Sequence, residues 1–289
     1  MVLVESVYAL PRGCNDSMLA GQRQKRILDE LSTQGAVRVK QLTELLAVSE
    51  MTVRRDLDAL AESGLLQKVH GGATARGHLS AHEPGFETKS HQQLAEKEAI
   101  VRAARRLVGP GQAVALTAGT TTWRLAHHIS DVPNLTVVTN SIPVANVLHR
   151  EGRADLTVIL TGGVRTPSDA LVGPMAVTTI RSMHLDTLFL GVHGMAEDPG
   201  FTSPNLLEAE TDRAFIASAE RVVVVADHTK WGVRGLSRLA RLDEADVVVT
   251  DSGLTTEAHD TLAGHVDRVV LAPARRARRG RGEPAVGPP

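Results

Sequence analysis

Two stretches of the sequence combine residue types whose spacing suits the binding of anions and of nucleic acid. In the first, "ALTAGTTTW" (115–123), an aliphatic run precedes Gly119 and three threonines, Thr120, Thr121 and Thr122. This order is typical of a strand, a small-residue loop and a helix start, where backbone N–H groups and the helix dipole favour negative charge. It predicts a phosphate site, although threonines at such a turn also serve as helix caps. The stretch is neither a Walker loop nor a GxGxxG fingerprint, which argues against ATP and NAD.

Polar residues also follow other aliphatic runs, at the positions where open α/β sheets place their ligands. The loops concerned are Asn140 and Ser141 in "TNS", Gly162 and Gly163 in "GG", "GVHG" at 191–194, and Asp227 and Lys230 in "DHTK". The first pair can hydrogen-bond to hydroxyl groups. Asp227 can accept from a sugar hydroxyl, and Lys230 can bind phosphate or carboxylate. A simpler interpretation also stands, in which Asp227 caps a helix and Lys230 is solvated.

The second stretch, "SEMTVRRDLDAL" (49–60), predicts a short helix with an arginine pair beside its buried face. The buried face carries apolar residues at i, i+4 and i+7, namely Val53, Leu57 and Leu60. Ser49 is a good N-cap for this helix. In a helix-turn-helix the second helix lies in the major groove of DNA, with its N-terminal residues near the base edges.

Several polar residues of this region are therefore candidate DNA contacts. Arginine can pair with guanine or clamp phosphate, and threonine can reach a phosphate or a thymine methyl group. Lysine and histidine near the groove can position the DNA backbone. The candidates are Lys40, Thr52, Arg54, Arg55, Lys68 and His70. Two alternatives stay open: the arginines are solvated and paired with Asp56 or Asp58, or the domain docks to protein.

The elements around these stretches predict two domains. Residues 18–75 read as two helices, the N-capped helix and a hairpin through a Gly-Gly turn, which is a winged helix-turn-helix plan. Residues 93–272 alternate helical segments with continuous aliphatic strands, which predicts an α/β domain with a mainly parallel sheet. Residues 76–92 look like a linker. Residues 1–17 and the Arg- and Pro-rich 273–289 look like disordered tails.

Composition narrows the class of protein. The 289 residues carry a formal net charge of −1, so any binding of nucleic acid must come from a local patch. With a single cysteine no intramolecular disulfide can form, and no apolar run is long enough for a membrane span. We expect a cytoplasmic protein without a membrane association. Among the twelve histidines, His78 and His82 have i, i+4 spacing but lie beside Pro84 in the expected linker, and no cysteine or carboxylate pattern joins them, so neither metal nor cofactor is expected.

The stretch "SEMTVRRDLDALAESG", followed by "HGGA" (70–73), resembles the signature of DeoR-type bacterial repressors. The resemblance implies an N-terminal winged helix-turn-helix and a C-terminal sensor related to the sugar-phosphate isomerase fold. It places Ser49, Thr52, Arg54 and Arg55 on the DNA-contacting helix. It also implies that residues 118–122 bind a sugar phosphate.

The same resemblance extends to "NLLEAE" (205–210), which adds Glu208 to the expected effector site. Thr117 and His193 depart from the family pattern, because many members have aspartate at both positions. The loss of two carboxylates removes hydroxyl acceptors and bears on the choice of effector.

The resulting functional hypothesis is a transcriptional repressor of sugar or polyol metabolism genes, released from operator DNA by a phosphorylated sugar-like effector. Reading two half-sites requires a homodimer or homotetramer. The alternative is a sugar-phosphate isomerase with an appended protein-docking domain. In that enzyme Glu208 or Glu210 would act as base and Lys230 as electrostatic stabiliser.

Overall fold

The computed structural model describes residues 19–34, 36–63, 65–69, 71–75 and 85–274. The chain divides between Arg76 and Gly77 into two compact units. The tails expected at 1–17 and 273–289 lie outside the described residues, apart from positions 273 and 274. Most of the expected linker lies outside them as well.

The first unit has the elements of a winged helix-turn-helix. Its described elements are α1 (Ala20–Gln34), β1 (Ala36–Arg38), α2 (Val39–Leu46), α3 (Glu50–Glu62), β2 (Leu66–Val69) and β3 (Gly72–Ala75). The strands form an antiparallel sheet in the order β1-β3-β2. Gly72 allows this sheet to close, since a Cβ atom there would lie 2.0 Å from the carbonyl oxygen of Val37.

One apolar core joins the three helices to the sheet. It includes Ile27 and Leu31 of α1, Leu42 and Leu46 of α2, Val53, Leu57 and Leu60 of α3, and Leu66 of β2. Burial of each such side chain contributes roughly 1.5–3 kcal/mol relative to exposure. The predicted apolar face of α3 is therefore confirmed. Ala47, in the left-handed conformation, makes the turn that aims α3 away from α2.

The second unit alternates helices and strands. Its described elements are α4 (Phe86–Ser90), α5 (Leu94–Ala104), β4 (Ala113–Leu116), α6 (Thr120–Ile129), β5 (Thr136–Thr139), α7 (Ile142–Arg150), β6 (Thr157–Leu160), β7 (Val164–Arg165), β8 (Leu171–Val172), α8 (Pro174–Arg181), β9 (Thr187–Leu190), β10 (Gly194–Ala196), β11 (Gly200–Ser203), α9 (Leu206–Ser218), β12 (Val222–Val225), β13 (Ser237–Ala240), β14 (Val247–Asp251), α10 (Thr256–Ala263) and β15 (Arg268–Ala272).

Within the described residues, a seven-stranded parallel sheet in the order β15-β14-β12-β9-β4-β5-β6 forms the centre of this unit. Both faces are buried. In β12, Val222 and Val224 face one apolar core, and Val223 and Val225 face the other. This explains the continuous aliphatic runs of the sequence and confirms the predicted parallel sheet.

The strand order also fixes where a ligand can bind. From β4, the first strand of this sheet along the chain, the sheet grows to β5 and β6 on one side, then to β9, β12, β14 and β15 on the other. The order therefore reverses between β4 and β9. Ligands of open α/β sheets bind outside the carboxyl ends of strands at such a switch point.

The structure adds elements that the sequence did not predict. Helix α4 lies inside the segment 76–92 that was expected to be a linker. Its Phe86 packs edge-on against Trp123 of α6, with ring centroids 5.6 Å apart, which gives this short helix an apolar anchor. A small antiparallel sheet, β10-β11-β13, and the pair β7-β8 accompany the main sheet.

Candidate functional site

The first turn of α3 is fixed by the predicted N-cap. The Ser49 hydroxyl accepts a hydrogen bond from the backbone N–H of Thr52 at 3.2 Å. The hydroxyls of Ser49 and Thr52 are themselves hydrogen-bonded at 2.9 Å. Both side chains therefore define the start of the helix, which is the part that a helix-turn-helix presents to base edges.

The arginine pair projects to solvent from the second turn of the same helix. The Arg54 side chain is 59% exposed and lies 3.6 Å from the Glu50 carboxylate, a weak surface pair. Arg55 is exposed and forms no ion pair within the described residues. Met51, 77% exposed, lies on the same side. An exposed face with guanidinium groups and an apolar side chain can contact phosphates and base edges.

The alternative expected these arginines to be solvated and paired with Asp56 or Asp58; both are exposed, but the expected pairing is wrong. Asp56 is buried and accepts two hydrogen bonds from Arg23 of α1, Nε–Oδ2 at 2.7 Å and Nη2–Oδ1 at 3.2 Å. Asp58 pairs instead with Lys68 of β2. Both carboxylates are thus engaged elsewhere in the domain.

The remaining candidate DNA contacts differ in their surroundings. Lys40, the second residue of α2, is exposed. Lys68 forms an exposed ion pair with Asp58, so contact with a phosphate would compete with that pair. His70 lies outside the described residues. The DNA-binding role of all these residues stays a prediction.

At the carboxyl edge of the main sheet, hydrogen bonds tie together the loops that follow β4, β5 and β9. The Thr117 hydroxyl accepts from the N–H of Gly191 at 3.0 Å. The Asn140 side chain accepts from the N–H of Ala118 at 2.9 Å and donates to the carbonyl of Leu171 at 3.3 Å. Thr117 and Asn140 therefore shape the switch point, with their side chains committed to protein groups.

The glycine-threonine loop begins α6 at this switch point, as predicted. Thr120 and Thr121 are buried, and Thr122 donates from its hydroxyl to the carbonyl of Gly119 at 2.9 Å. The interpretation of these threonines as helix caps is wrong, because Gly119 is the N-cap and no side chain caps this helix. The N-terminal backbone N–H groups of α6 keep the orientation that favours an anion.

A second group of expected residues is held by contacts of its own. Ser141 caps α7 by accepting from the N–H of Val144. Gly163 is required by close packing, because a Cβ atom there would lie 2.5 Å from the carbonyl oxygen of Val172; its neighbour Gly162 has a positive φ of 73°. The Glu208 carboxylate accepts hydrogen bonds from the hydroxyls of Thr166 and Ser168.

Basic side chains from several elements converge next to the switch point. The buried ammonium of Lys97, on α5, donates to the carbonyl of Lys89 at 2.7 Å, and Arg124 of α6 donates to the carbonyl of Ser90 at 3.4 Å. Lys97 also interacts electrostatically with Lys89, Arg124 and Lys230, and with the carboxylate of Asp227. We call Lys89, Lys97, Arg124 and Lys230 the basic cluster.

The electrostatics of the cluster follow from burial among like charges. Desolvation lowers the pKa of Lys97 to about 8, with Asp227 opposing the shift and the neighbouring cations adding to it. Burial, with Lys230 and Lys89 nearby, lowers the pKa of His193 to about 3, so this imidazole is neutral at pH 7. The buried ammonium of Lys97 therefore lies among other cationic groups, and Asp227 is the carboxylate that acts on it.

Asp227 and Lys230 occupy the end of β12 as the sequence analysis expected. Asp227 is buried and accepts from the backbone N–H of Thr229 at 3.1 Å, so the helix-cap interpretation is confirmed for it. The adjacent His228 is bonded to Asp251 of β14, with Nδ1–Oδ2 at 2.8 Å. That bond raises the pKa of His228, with smaller contributions from Asp227 and Glu96.

Two unpaired polar atoms lie on the residues of this region. Within the described residues, three buried side-chain nitrogen or oxygen atoms lack a hydrogen-bond partner: Arg124 Nε, His193 Nε2 and Thr250 Oγ1. Buried polar groups are usually hydrogen-bonded, so such an atom needs an explanation. A bound ligand would explain the unpaired atoms of Arg124 and His193.

Sequence reasoning missed three members of the basic cluster, Lys89, Lys97 and Arg124. For Lys97 a signal was available. It lies three and four residues before Ile100 and Val101, so it shares the buried face of α5, where a lysine is unusual. Lys89 and Arg124 show no comparable pattern, because their convergence depends on the packing of α4 against α6.

The described residues contain no cluster of three or more histidine, cysteine or carboxylate side chains able to hold a metal ion. Nor does any helix among them have the length and apolar character needed to cross a bilayer.

Comparison with known families agrees with the description of both units of the chain. Residues 23–77 match the DeoR-like helix-turn-helix domain, and residues 92–252 match the DeoR C-terminal sensor domain. The chain belongs to the DeoR family. The basic cluster, apart from Lys89, lies inside the matched DeoR sensor region, and α3 lies inside the matched helix-turn-helix.

Named relatives in the DeoR family are transcriptional regulators. The HTH-type transcriptional regulator GlpR of Haloferax volcanii is 35% identical over 259 residues, covering 89% of this chain and all of its own length. The glycerol-3-phosphate regulon repressor of Escherichia coli is 32% identical over 245 residues, covering 84% and 96%. Among solved structures, ribose 5-phosphate isomerase A of Methanocaldococcus jannaschii matches 48% of this chain and 55% of its own at 13% identity and a TM-score of 0.35. The family assignment does not rest on that partial likeness.

Proposed function

We propose that this DeoR-family protein is a transcriptional repressor of sugar or polyol metabolism genes, and that a phosphorylated sugar-like effector releases it from operator DNA. In this proposal α3 contacts the DNA and the carboxyl edge of the parallel sheet binds the effector. Effector binding favours a state of lower operator affinity, so the two ligands oppose each other. Relatives named for the glycerol-3-phosphate regulon and for the aga operon support a role in carbohydrate metabolism.

The part of the proposal that concerns the effector rests on one observation, the buried ammonium of Lys97 among like charges. A cation that has lost its hydration shell is costly unless it is paired. A phosphate held by the basic cluster and by the first N–H groups of α6 would supply that pairing. Asp227, which lies among the cations, remains available to accept from a sugar hydroxyl.

The DNA half is supported by the free face of α3. Ser49 and Thr52 fix the helix start, and Arg54 and Arg55 project from it beyond the core. Reading two half-sites of an operator requires two such helices, so we propose a homodimer or homotetramer acting on chromosomal DNA in the cytoplasm.

The isomerase alternative gains no support from the candidate base. Glu208 is buried and accepts hydrogen bonds from Thr166 and Ser168, so its carboxylate is engaged by protein groups, and Glu210 is exposed on the same helix. A general base must lie within hydrogen-bond reach of its substrate. We therefore propose a regulator without turnover.

The test is fluorescence anisotropy of the full chain on labelled DNA from upstream of its own gene, with sugar phosphates titrated in. We expect specific binding that one or more phosphates relieve, and an affinity that falls steeply with salt. Salt-insensitive or absent binding would contradict the DNA half. Binding that every phosphate leaves unchanged would contradict the effector half.

A further inference from the structure

Large apolar side chains of the second unit are exposed around the first turns of α8 and α9. Each of the six is between 43% and 70% exposed. We call them the apolar patch: Leu160, Val164, Met175, Leu206, Leu207 and Leu236. Single apolar side chains scattered over a surface need no explanation, whereas a contiguous group of them marks a place where a protein associates.

Contacts within the second unit bring the patch residues together. Helices α8 and α9 pack against each other, and each directly precedes a strand of the parallel sheet, so their first turns lie at the same edge of that sheet. Met175, in the first turn of α8, lies against Gly162, where a Cβ atom would be 3.3 Å from the methionine sulfur. Leu160 and Val164 stand two residues to either side of this glycine.

The connection between β7 and β8 joins this side of the patch to α9. The hydroxyls of Thr166 and Ser168 donate hydrogen bonds to the carboxylate of Glu208. Glu208 lies in the first turn of α9, which also carries Leu206 and Leu207. The segment that bears Val164 is therefore fixed next to the exposed leucines of α9.

Leu236 lies next to the start of the same helix. Gly235, which precedes it, packs so closely on Ser203 that a Cβ atom there would be 2.5 Å from the Ser203 carbonyl carbon. Asn205, two residues further along the chain, caps α9, and Leu206 begins it. The six side chains therefore lie together at one edge of the second unit.

The charge of the patch suits a contact with a copy of itself. A two-fold contact brings the same surface of both subunits together, so a patch of one charge sign would repel its copy. The six side chains are uncharged. Arg165, which follows Val164, is paired with Asp169, with Nε–Oδ1 at 2.7 Å.

The area of the patch agrees with what a stable homodimer needs. A large apolar side chain removes roughly 120 Å² of apolar surface from water when it is fully buried. Six such side chains, each about half exposed, offer on the order of 400 Å². A standard interface covers about 800 Å² per partner, of which about 65% is apolar in homodimers, or about 500 Å². The patch supplies most of that amount.

We infer that the apolar patch is the interface between two copies of this chain, related by a two-fold axis. The inference rests on the proposed function for the requirement of two copies, and it adds the surface at which they meet. It follows that the second unit of the chain holds the oligomer together.

The experiment places like charges on the patch. Met175→Glu and Leu206→Glu each introduce a carboxylate into the first turn of a helix, where the helix dipole favours it, so both variants should fold. Sedimentation equilibrium of the full chain over a range of concentrations measures subunit association. We expect each substitution to raise the dissociation constant at least a hundredfold. A wild-type dimer then becomes a monomer, and a wild-type tetramer becomes a dimer.

Two further variants are matched controls. Leu271→Glu places the same charge on an exposed leucine of β15, at the sheet edge opposite to β6, and should change the dissociation constant less than threefold. Leu206→Met keeps the apolar surface and should associate as the wild type does. Far-UV circular dichroism during urea denaturation checks folding. For a variant that does not fold, the double substitution Met175→Gln with Leu206→Gln replaces it, with at least a tenfold rise expected.

The outcomes separate this inference from the proposed function. A wild-type oligomer that all the patch variants leave intact would overturn the inference and assign the patch to another occupant, while the proposed function stands. Equal weakening by Leu271→Glu would overturn it as well, since the effect would not be specific to the patch. A wild-type chain that stays monomeric at every concentration, with and without operator DNA, would overturn both the inference and the proposed oligomer.

Discussion

At the scale of single residues, Arg54 and Arg55 are neighbours with different surroundings. Arg54 has a weak surface partner in Glu50, whereas Arg55 forms no ion pair within the described residues. Neither side chain takes part in the apolar core of its domain. Their replacement should therefore affect DNA binding and leave folding intact.

We expect Arg54→Ala and Arg55→Ala each to weaken operator binding by roughly 1–3 kcal/mol if they read bases. Fluorescence anisotropy on operator and scrambled DNA measures this, and a base contact is lost on the operator only. The control is Arg102→Ala, an exposed arginine of the sensor. Unchanged operator affinity in both α3 variants would remove the pair from the interface.

Lys97 is expected to stabilise effector binding at the expense of folding. Its burial lowers its pKa from 10.5 to about 8, a cost of roughly 3 kcal/mol at 1.36 kcal/mol per pKa unit. Loss of its hydrogen bond to Lys89 offsets about 1 kcal/mol of this. Lys97→Met should thus raise the free energy of unfolding at pH 7 by roughly 2 kcal/mol, measured by urea denaturation, and abolish the fluorescence response to effector.

The stability that Lys97→Met gains over the wild type should depend on pH, and the lowered pKa of Lys97 sets the direction of that dependence. Between pH 8 and pH 10.5 the unfolded chain keeps the Lys97 proton that the folded chain has released. The unfolded state then binds more protons, so wild-type stability gains with rising pH in this window. The advantage of Lys97→Met over wild type should shrink across it. An advantage that stays constant from pH 7 to pH 10 would contradict the assigned burial cost.

At the scale of elements, the Arg23–Asp56 pair joins α1 to α3. Asp56 lies on the buried face of α3, and its two hydrogen bonds to the guanidinium close the gap between the helices. Replacement of Asp56 by a neutral residue removes the negative charge that faces the guanidinium and weakens both hydrogen bonds of the pair. The orientation of α3 therefore depends on an ionic contact as well as on apolar packing.

Asp56→Asn should destabilise the first unit by roughly 2–3 kcal/mol. Because both tryptophans lie in the second unit, far-UV circular dichroism of the full chain should show an earlier urea transition that tryptophan fluorescence does not. Asp58→Asn is the matched control in the same helix, since it removes only an exposed pair with Lys68. An equal effect of the two substitutions would argue against the buried pair.

The elements differ in how far the sequence could predict them. Helix α3 was predictable because its N-cap Ser49 and the spacing of Val53, Leu57 and Leu60 are local signals. The parallel sheet was predictable because its strands are buried on both faces. The glycine-threonine loop was predictable for a similar reason. A glycine and three threonines directly after an aliphatic run mark the point where a strand ends.

The basic cluster was not predictable in this way. Its members come from α4, α5, α6 and the end of β12, and tertiary contacts bring α4 to the site, among them the packing of Phe86 on Trp123. Asp56 was also misjudged, because a charged residue on a helix was assumed to face solvent. Its partner Arg23 is thirty-three positions away, beyond the reach of local pattern.

At the scale of the whole molecule, the proposal requires a reciprocal effect between two ligands. If an effector weakens operator binding by some factor, operator must weaken effector binding by the same factor, typically 5–150-fold. Tryptophan fluorescence titrations with and without saturating operator measure one side, and anisotropy measures the other. Effector affinity that does not change with operator would show that the two sites are uncoupled.

The order of strands in the large sheet has a consequence for how the chain acquires its structure. Strand β4 pairs with β9, which comes only after β5, α7, β6 and α8, whereas the strand pairings of the first unit span shorter stretches of chain. Local contacts form faster than distant ones, and domains fold in the order of their synthesis. On the ribosome, we expect the proposed DNA-binding unit to mature before the sheet that senses the effector can close.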